Sequence, residues 1–350
     1  MTDFGESGGS TRRPVPLARV ESMRRLASRL PEEIGVAVAL VALTAFIGWR
    51  RPLFIRSDNL INLATSSAFW GMLALGMVFL LAIREIDLSV GWAFNFSAVV
   101  CAQLIVSGLN PFVAALASIL FGAVLGAANG MLSVLMGVPV LIVTLGTFSV
   151  FQGLSLVVND SAAVVPSPET REGAYFDLVR YKLFGEIPFV LMALVTTAVA
   201  LQVLLHHTRF GYRVLAVGSN PEAAMLAGLP IRRITVLVTA MVGALAGFSA
   251  ALFVGFRGAV DPNTGSEFLL IVVAATIIGG TPLSGGSGTV VGALLGVLII
   301  AVINSGIIFL GVEATWSAFV TGTVILVAVG IDRVLRVRRA RSAVQYRDGF

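Results

Sequence analysis

The stretch from Ile83 to Trp92, IREIDLSVGW, sets Arg84, Glu85 and Asp87 between two long apolar runs. One guanidinium and two carboxylates at this spacing could serve acid–base chemistry, a proton relay, or the polar ends of two successive helices. Catalysis would need a nucleophile–base pair or a set of metal ligands beside them, and none accompanies these carboxylates. His206 and His207 are the only histidines. Being adjacent, they point about 100° apart on a helix and cannot grip one metal together. No catalytic residue, metal site or cofactor is expected.

A second motif misleads. Leu283–Gly286, LSGG, matches the start of the signature loop of ATP-hydrolysing cassettes. A phosphate-binding loop needs Gly-x-x-x-x-Gly-Lys-Ser/Thr. The single lysine, Lys182, stands in RYKLFG with no glycine-rich loop before it. The glycines of Gly279–Gly288, GGTPLSGGSG, instead fit a tight turn that requires positive φ. Any ATP hydrolysis must come from another chain.

The elements that position these residues follow from composition. Of 350 residues 57% are hydrophobic and 12% charged, about half the charge of an ordinary soluble domain. Apolar runs long enough to cross a bilayer recur along the chain. The fold class is all-α and polytopic, with about ten transmembrane helices expected at 33–49, 67–83, 90–107, 111–135, 138–158, 187–206, 233–254, 267–279, 290–310 and 315–331. This divides the chain into an N-terminal tail (1–32), a membrane domain (33–331) and a basic C-terminal tail (332–350). Within the tail, Val20, Met23, Leu26, Ala27 and Leu30 share one helical face between arginines, as an interfacial helix on membrane lipid would. It has no apolar core of signal type. Cys101 lies inside an apolar run, and as the one cysteine it can form no disulfide within the chain.

Ten crossings place both termini on one side. With the termini inside, 17 of the 24 Lys and Arg residues fall on that side, which orients both termini to the cytoplasm of a bacterial inner membrane. The basic balance belongs to these flanks, and no nucleic-acid partner is expected. On this orientation IREIDLSVGW is a cytoplasmic turn. Asp87 can cap the helix that follows, accepting from the backbone of Ser89 or Val90, with Arg84 and Glu85 at the interface. The alternative places the turn deeper, lining a pathway, since charge at membrane depth is costly and usually functional. Outside, Arg50 and Arg51 read as snorkelling residues at a helix end or as an external docking patch with Arg56.

Two further patterns concern organisation. GAVLG (Gly122–Gly126) in the fourth span and GALLG (Gly292–Gly296) in the ninth are offset by five spans, as inverted five-helix repeats would be; close helix packing alone also produces such glycines. In VGSNPEAAMLAGLP (217–230), Asn220 caps a two-turn helix with Pro221 at its first position and Glu222 near its positive end, and Gly228 and Pro230 stop it.

These residues resemble the permease subunit of ribose-type sugar ABC importers, a superfamily shared with branched-chain amino-acid permeases. EIDLSVG (85–91) is similar to the family's Gly-Ile-Asp-Leu-Ser-Val-Gly. VPVLIVTLGT (138–147), GSNPEAAMLAGL (218–229), GGTPLSGGSG (279–288) and INSGIIFLGV (303–312) match in the same order. The resemblance spans roughly Arg51 to Arg333. It implies a homodimer (or a pairing with a second permease), separate cytoplasmic ATPase subunits, an external solute-binding protein and an inverted repeat in the manner of type II ABC importers. On that likeness Asn220, Pro221, Glu222, Ala223, Ala224 and Gly228 form the segment that couples to the ATPase. Arg56 and Arg257 are then candidates to hold the binding protein. Two departures bear on the solute: Glu85 replaces the family's first glycine, and Leu269–Ile271 stand where sugar permeases commonly carry Glu-Leu-Asp, with Glu267 two positions early.

The function expected is a transport subunit, not an enzyme, for a sugar or similar small polar solute. A neutral polyol calls for amides and hydroxyls, and Asp87, Ser89, Asn95, Asn129, Thr144, Thr147, Gln152 and Asn304 are the pathway candidates. Each also suits a helix–helix hydrogen bond. A permease for branched-chain amino acids or nucleosides is the alternative. An ion-coupled secondary transporter would need carboxylates away from span ends, and few are.

Overall fold

A computed structural model describes residues 32–316 and, beyond them, Phe319, Val320, Gly322, Thr323, Leu326 and Gly330. The interfacial helix expected at 19–30, the basic tail and most of the span expected at 315–331 lie outside these residues.

The chain is mainly helical. The helices of six or more residues are α1 (Glu32–Arg50), α2 (Ser57–Ala82), α3 (Val90–Val106), α4 (Pro111–Met136), α5 (Val140–Val158), α6 (Ala174–Arg180), α7 (Phe189–His207), α8 (Arg209–Ser219), α9 (Pro221–Leu226), α10 (Ile231–Arg257), α11 (Phe268–Ile278) and α12 (Val290–Phe309). Seven of them are long and apolar enough to cross a membrane, and α3 and α11 are shorter apolar helices. Their ends follow local chemistry. The Asn110 side chain accepts from Phe112 N ahead of Pro111 to open α4, and Gly137, at φ +66°, closes it. Gly258, at φ +71°, closes α10 in the same manner.

Connections alternate between two faces. On one, Gly286 N donates to Ala82 O, Arg84 reaches Gly218 and Ser219, Glu85 reaches Val140, and Thr289 donates to Glu33 at the start of α1. On the other, Val164 pairs with Val260, the Tyr175 hydroxyl donates to Ala251 O and Phe54 packs edge-on against Phe309. The same second face carries α6 and a short hairpin, Lys182–Leu183 with Ile187–Pro188, in a stretch expected to be plain loop.

α2 is the central helix, buried continuously from Ser67 through Ile83. The broadest packing joins α4 to α10. Gly122, Gly126 and Gly130 lie directly on the backbone of Thr239, Gly243 and Gly247, where any Cβ would strike a main-chain or Thr239 side-chain atom. Between membrane helices, attraction comes from such close approach and from hydrogen bonds rather than from expelled water. Here Ser118 Oγ, which lies 3.0 Å from both Ser97 O and Gly247 O, ties α4 to α3 and α10. Gly292 and Gly296 of α12 seat in the same way on Gly279 and Ala275 of α11. Outward, α4 shows Leu116, Leu120 and Val124 and α7 shows Val195, Val199 and Val203, apolar stripes at helical spacing suited to acyl chains.

Two further elements differ from the sequence reading. α2 begins at Ser57, ten residues before the expected start at 67. The loop 207–232 holds not only the two-turn helix α9 but also α8, an amphipathic helix whose cap is Thr208, accepting from Gly211 N.

Candidate functional site

The IREIDLSVGW turn is a junction of three helices. Asp87 is 2% exposed; its Oδ1 accepts from Ser89 N at 2.7 Å and from Ser89 Oγ at 2.6 Å. Asn129 Nδ2, from α4, donates to Ser89 Oγ at 2.9 Å and lies 3.3 Å from Asp87 Oδ2. From α5, Thr144 Oγ1 accepts Leu88 N at 3.0 Å. The helix starts at Val90 rather than Leu88, so Asp87 folds back on Ser89 at its threshold. Three of the pathway candidates, Asp87, Ser89 and Asn129, thus bond to one another, and Thr144 holds the backbone between them; the Asn129 amide oxygen is buried with no partner among the described residues. Asn95 forms a second closed group: its amide donates to Thr264 O at 2.8 Å, and its oxygen accepts from Ser155 Oγ at 2.6 Å. Thr147 and Gln152 sit half-buried on α5, one turn from Thr144 and Ser155 respectively, and join neither group of bonds; the Thr147 hydroxyl is enclosed with no partner among the described residues.

Asn304 belongs to a different setting. It lines a groove of about 360 Å³ with Asn59, Asn62, Leu63, Ser66, Ser67 and Trp70 of α2 and Ala301, Ser305 and Ile308 of α12. Asn59, Asn62, Ser66 and Trp70 recur at helical spacing and so share one stripe. The groove opens toward the outside of the chain, with Asn62 and Ser66 exposed. The sequence reading missed all of these but Asn304, because polar residues at 57–67 lowered the hydropathy and moved the start of α2 past them. The i, i+3, i+7, i+11 recurrence was the available signal.

The third setting is the face holding α9. Asn220 Oδ1 accepts from Ala223 N at 3.0 Å, Pro221 opens the helix, Glu222 is in its first turn, and Gly228 turns at φ +77°. Ala224 is buried, while Asn220, Glu222 and Ala223 face solvent. A hollow of about 380 Å³ lies beside it, lined by Arg84, Ser219, Asn220, Pro221 and Glu222. Glu85 is partly buried, which raises its carboxyl above the usual range, against lowering contributions from the backbone of Val140 and Leu141. On the opposite face Arg56 and Arg257 are exposed at the start of α2 and the end of α10. Glu267 is exposed just before α11, and Leu270 is exposed on it. No group of three or more His, Cys, Asp or Glu residues able to hold a metal ion occurs among the described residues.

Residues 59–329 match the family described as branched-chain amino acid transport system / permease component. The chain belongs to this permease family. It is 36% identical over 307 residues to the ribose import permease protein of Bacillus subtilis, covering 86% of this chain and 93% of that protein. It is 33% identical to the L-arabinose ABC transporter permease protein of Azospirillum brasilense, covering 87% and 88%. With the D-allose transport system permease protein of Escherichia coli the identity is 31%, covering 87% and 92%. A solved inward-facing metal-chelate type ABC transporter shares the fold, with TM-score 0.51 and 15% identity over 85% of this chain and 97% of that one. The protein is therefore a multi-pass permease component of an ABC transporter, a transport subunit rather than an enzyme.

Proposed function

We propose that this permease forms the membrane pathway of an ATP-driven importer for a sugar, working as a homodimer with cytoplasmic ATPase subunits and an external solute-binding protein. One observation carries the reading: the α2–α12 groove offers amides, hydroxyls and one indole, with no fixed charge. That is the chemistry of neutral polyol recognition, a few placed polar groups beside an aromatic wall. The relatives that carry ribose, arabinose and allose in their names agree with it. A branched-chain amino-acid carrier would call for charged groups toward an ammonium and a carboxylate; the groove itself has none, and the nearest lie in the adjoining hollow that shares Asn62 with it, at Asp58, Lys182 and Glu186.

A polar stripe on an outer face cannot rest against acyl chains without a large cost. A second copy across the groove, enclosing water, removes that cost, and this supports the homodimer. The termini face the cytoplasm on the basic-residue count, so α9 is the segment held by the ATPase, and Arg56 and Arg257 meet the binding protein outside. With the span at 315–331 the crossings number ten. The GAVLG and GALLG echo is weak support for an inverted repeat, because the two glycine pairs seat on helices that such a repeat would not relate. Better support is that the first half of α3, which follows the α2–α3 turn, meets the α10–α11 loop, where the Asn95 amide donates to Thr264 O.

The test is uptake of radiolabelled D-ribose, L-arabinose, D-galactose and D-allose by cells with and without the gene. Loss of ATP-dependent uptake of one of them on deletion is expected. Uptake that persists with ATP depleted and follows an ion gradient would overturn the reading.

A further inference from the structure

Neither the groove nor the buried network uses Arg84 or Glu85. Resting on the reading of α9 as the segment an ATPase holds, we propose that these two residues are a two-ended clasp, positioning residues that carry displacement of the α8–α9 junction to the start of α5.

Arg84 sits at φ +67°, an unusual conformation for a residue with a side chain. Its Nε donates to Gly218 O at 2.6 Å and its Nη2 to Ser219 O at 2.8 Å. These are the last carbonyls of α8, which lack partners inside the helix and attract a cation. The planar fork of a guanidinium can take two successive carbonyls at once, as an ammonium cannot. The next residue reaches the other way. Glu85 Oε2 accepts Val140 N at 2.9 Å, at the start of α5, where Pro139 supplies no side-chain cap. A negative group belongs at that end. The two adjacent side chains therefore hold helix ends of opposite polarity.

Both residues are anchored to the end of α2, Arg84 N to Leu81 O and Glu85 N to Leu80 O, each at 2.9 Å. The glycine loop forms the third wall. Gly286 N donates to Ala82 O, and a Cβ on Gly285 would collide with Arg84 Cγ. From the first turn of α5 the link continues through Thr144 to Leu88 and α3. The family pattern has glycine where Glu85 stands, and a glycine offers no carboxylate to Val140.

The full chain, reconstituted in proteoliposomes with the ATPase that co-purifies with it, tests this by separating hydrolysis from sugar uptake. Arg84→Ala and Glu85→Ala should keep hydrolysis within about twofold while uptake falls about tenfold, the size of a typical coupling between sites. Glu85→Gln retains an acceptor for Val140 and should keep uptake; Arg84→Lys should fall between. Hydrogen exchange on the full chain supplies a second readout: Arg84→Ala should speed exchange at Val140–Val143, although that segment is far away in sequence. Equal losses of hydrolysis and uptake, with unchanged exchange at Val140–Val143, would overturn the clasp and leave Arg84 a local cap. If no ATPase accompanies the unaltered chain, the functional reading fails instead, and the exchange result alone decides on the clasp.

Discussion

The turn around Asp87 and the groove along α2 are built from the same kinds of side chain, yet they end in opposite conditions. Asp87, Ser89, Asn129 and Thr144 are buried and bond to each other and to the adjoining backbone, with the Asn129 amide oxygen left without a partner among the described residues. Asn62 and Ser66 lie open on a face of the chain. Closed polar groups inside a bundle fix the mutual placement of helices, and their cost is met internally. Open polar groups on a membrane helix need something else against them, which here is water, solute and a second subunit. Residue type alone does not separate the two conditions; what separates them is whether the partner lies in the same chain.

Three variants sharpen or break this contrast. Asp87→Ala leaves Ser89 and Asn129 without their shared acceptor, and is expected to destabilise the detergent-solubilised protein by about 3 kcal/mol. The measurement is thermal unfolding. If the melting point holds while uptake vanishes, Asp87 belongs with the open groove and the contrast collapses. The pair Asn62→Leu and Ser66→Leu should do the reverse, cutting sugar uptake at least about tenfold while stability stays within ~0.5 kcal/mol, as for exposed positions generally. A large loss of stability with uptake intact would assign those residues to packing. The smallest effect is expected for Ser118→Ala, which removes the hydroxyl shared by Ser97 O and Gly247 O. Here stability should fall by about 1 kcal/mol, with uptake unchanged, read from the same two assays.

Much of this was legible in the chain because it rests on local chemistry. Hydropathy places a helix within a few residues of each expected span from α3 through α12, and α9 followed from Asn220, Pro221 and Gly228 alone. What escaped depends on satisfaction that sequence does not display. The start of α2 carries Thr65 and Ser67, whose hydroxyls return to Ile61 O and Ala64 O, so a polar stretch remains a comfortable helix. Helix α8 has low hydropathy, and only Phe210, Val214 and Val217 at helical spacing betray its packed face. Arg84 could be read as an interfacial charge but not as a partner of Gly218, because 134 residues separate them.

The brevity of α11 has a consequence for how the protein is made. Its 11 residues extend only about 16 Å, roughly half the thickness of a hydrocarbon core. Emerging from the ribosome alone, such a segment is too short to settle across a bilayer. Gly292 and Gly296 of α12 provide the surface on which Ala275 and Gly279 rest. α2 and α3 share in the seat, since Thr276 Oγ1 donates to Ala74 O and Phe268 packs on Phe94, so α11 is held across the membrane by its neighbours rather than by its own length. A chain arrested before residue 290 would keep the α2 and α3 contacts of α11 and lack the glycine face of α12.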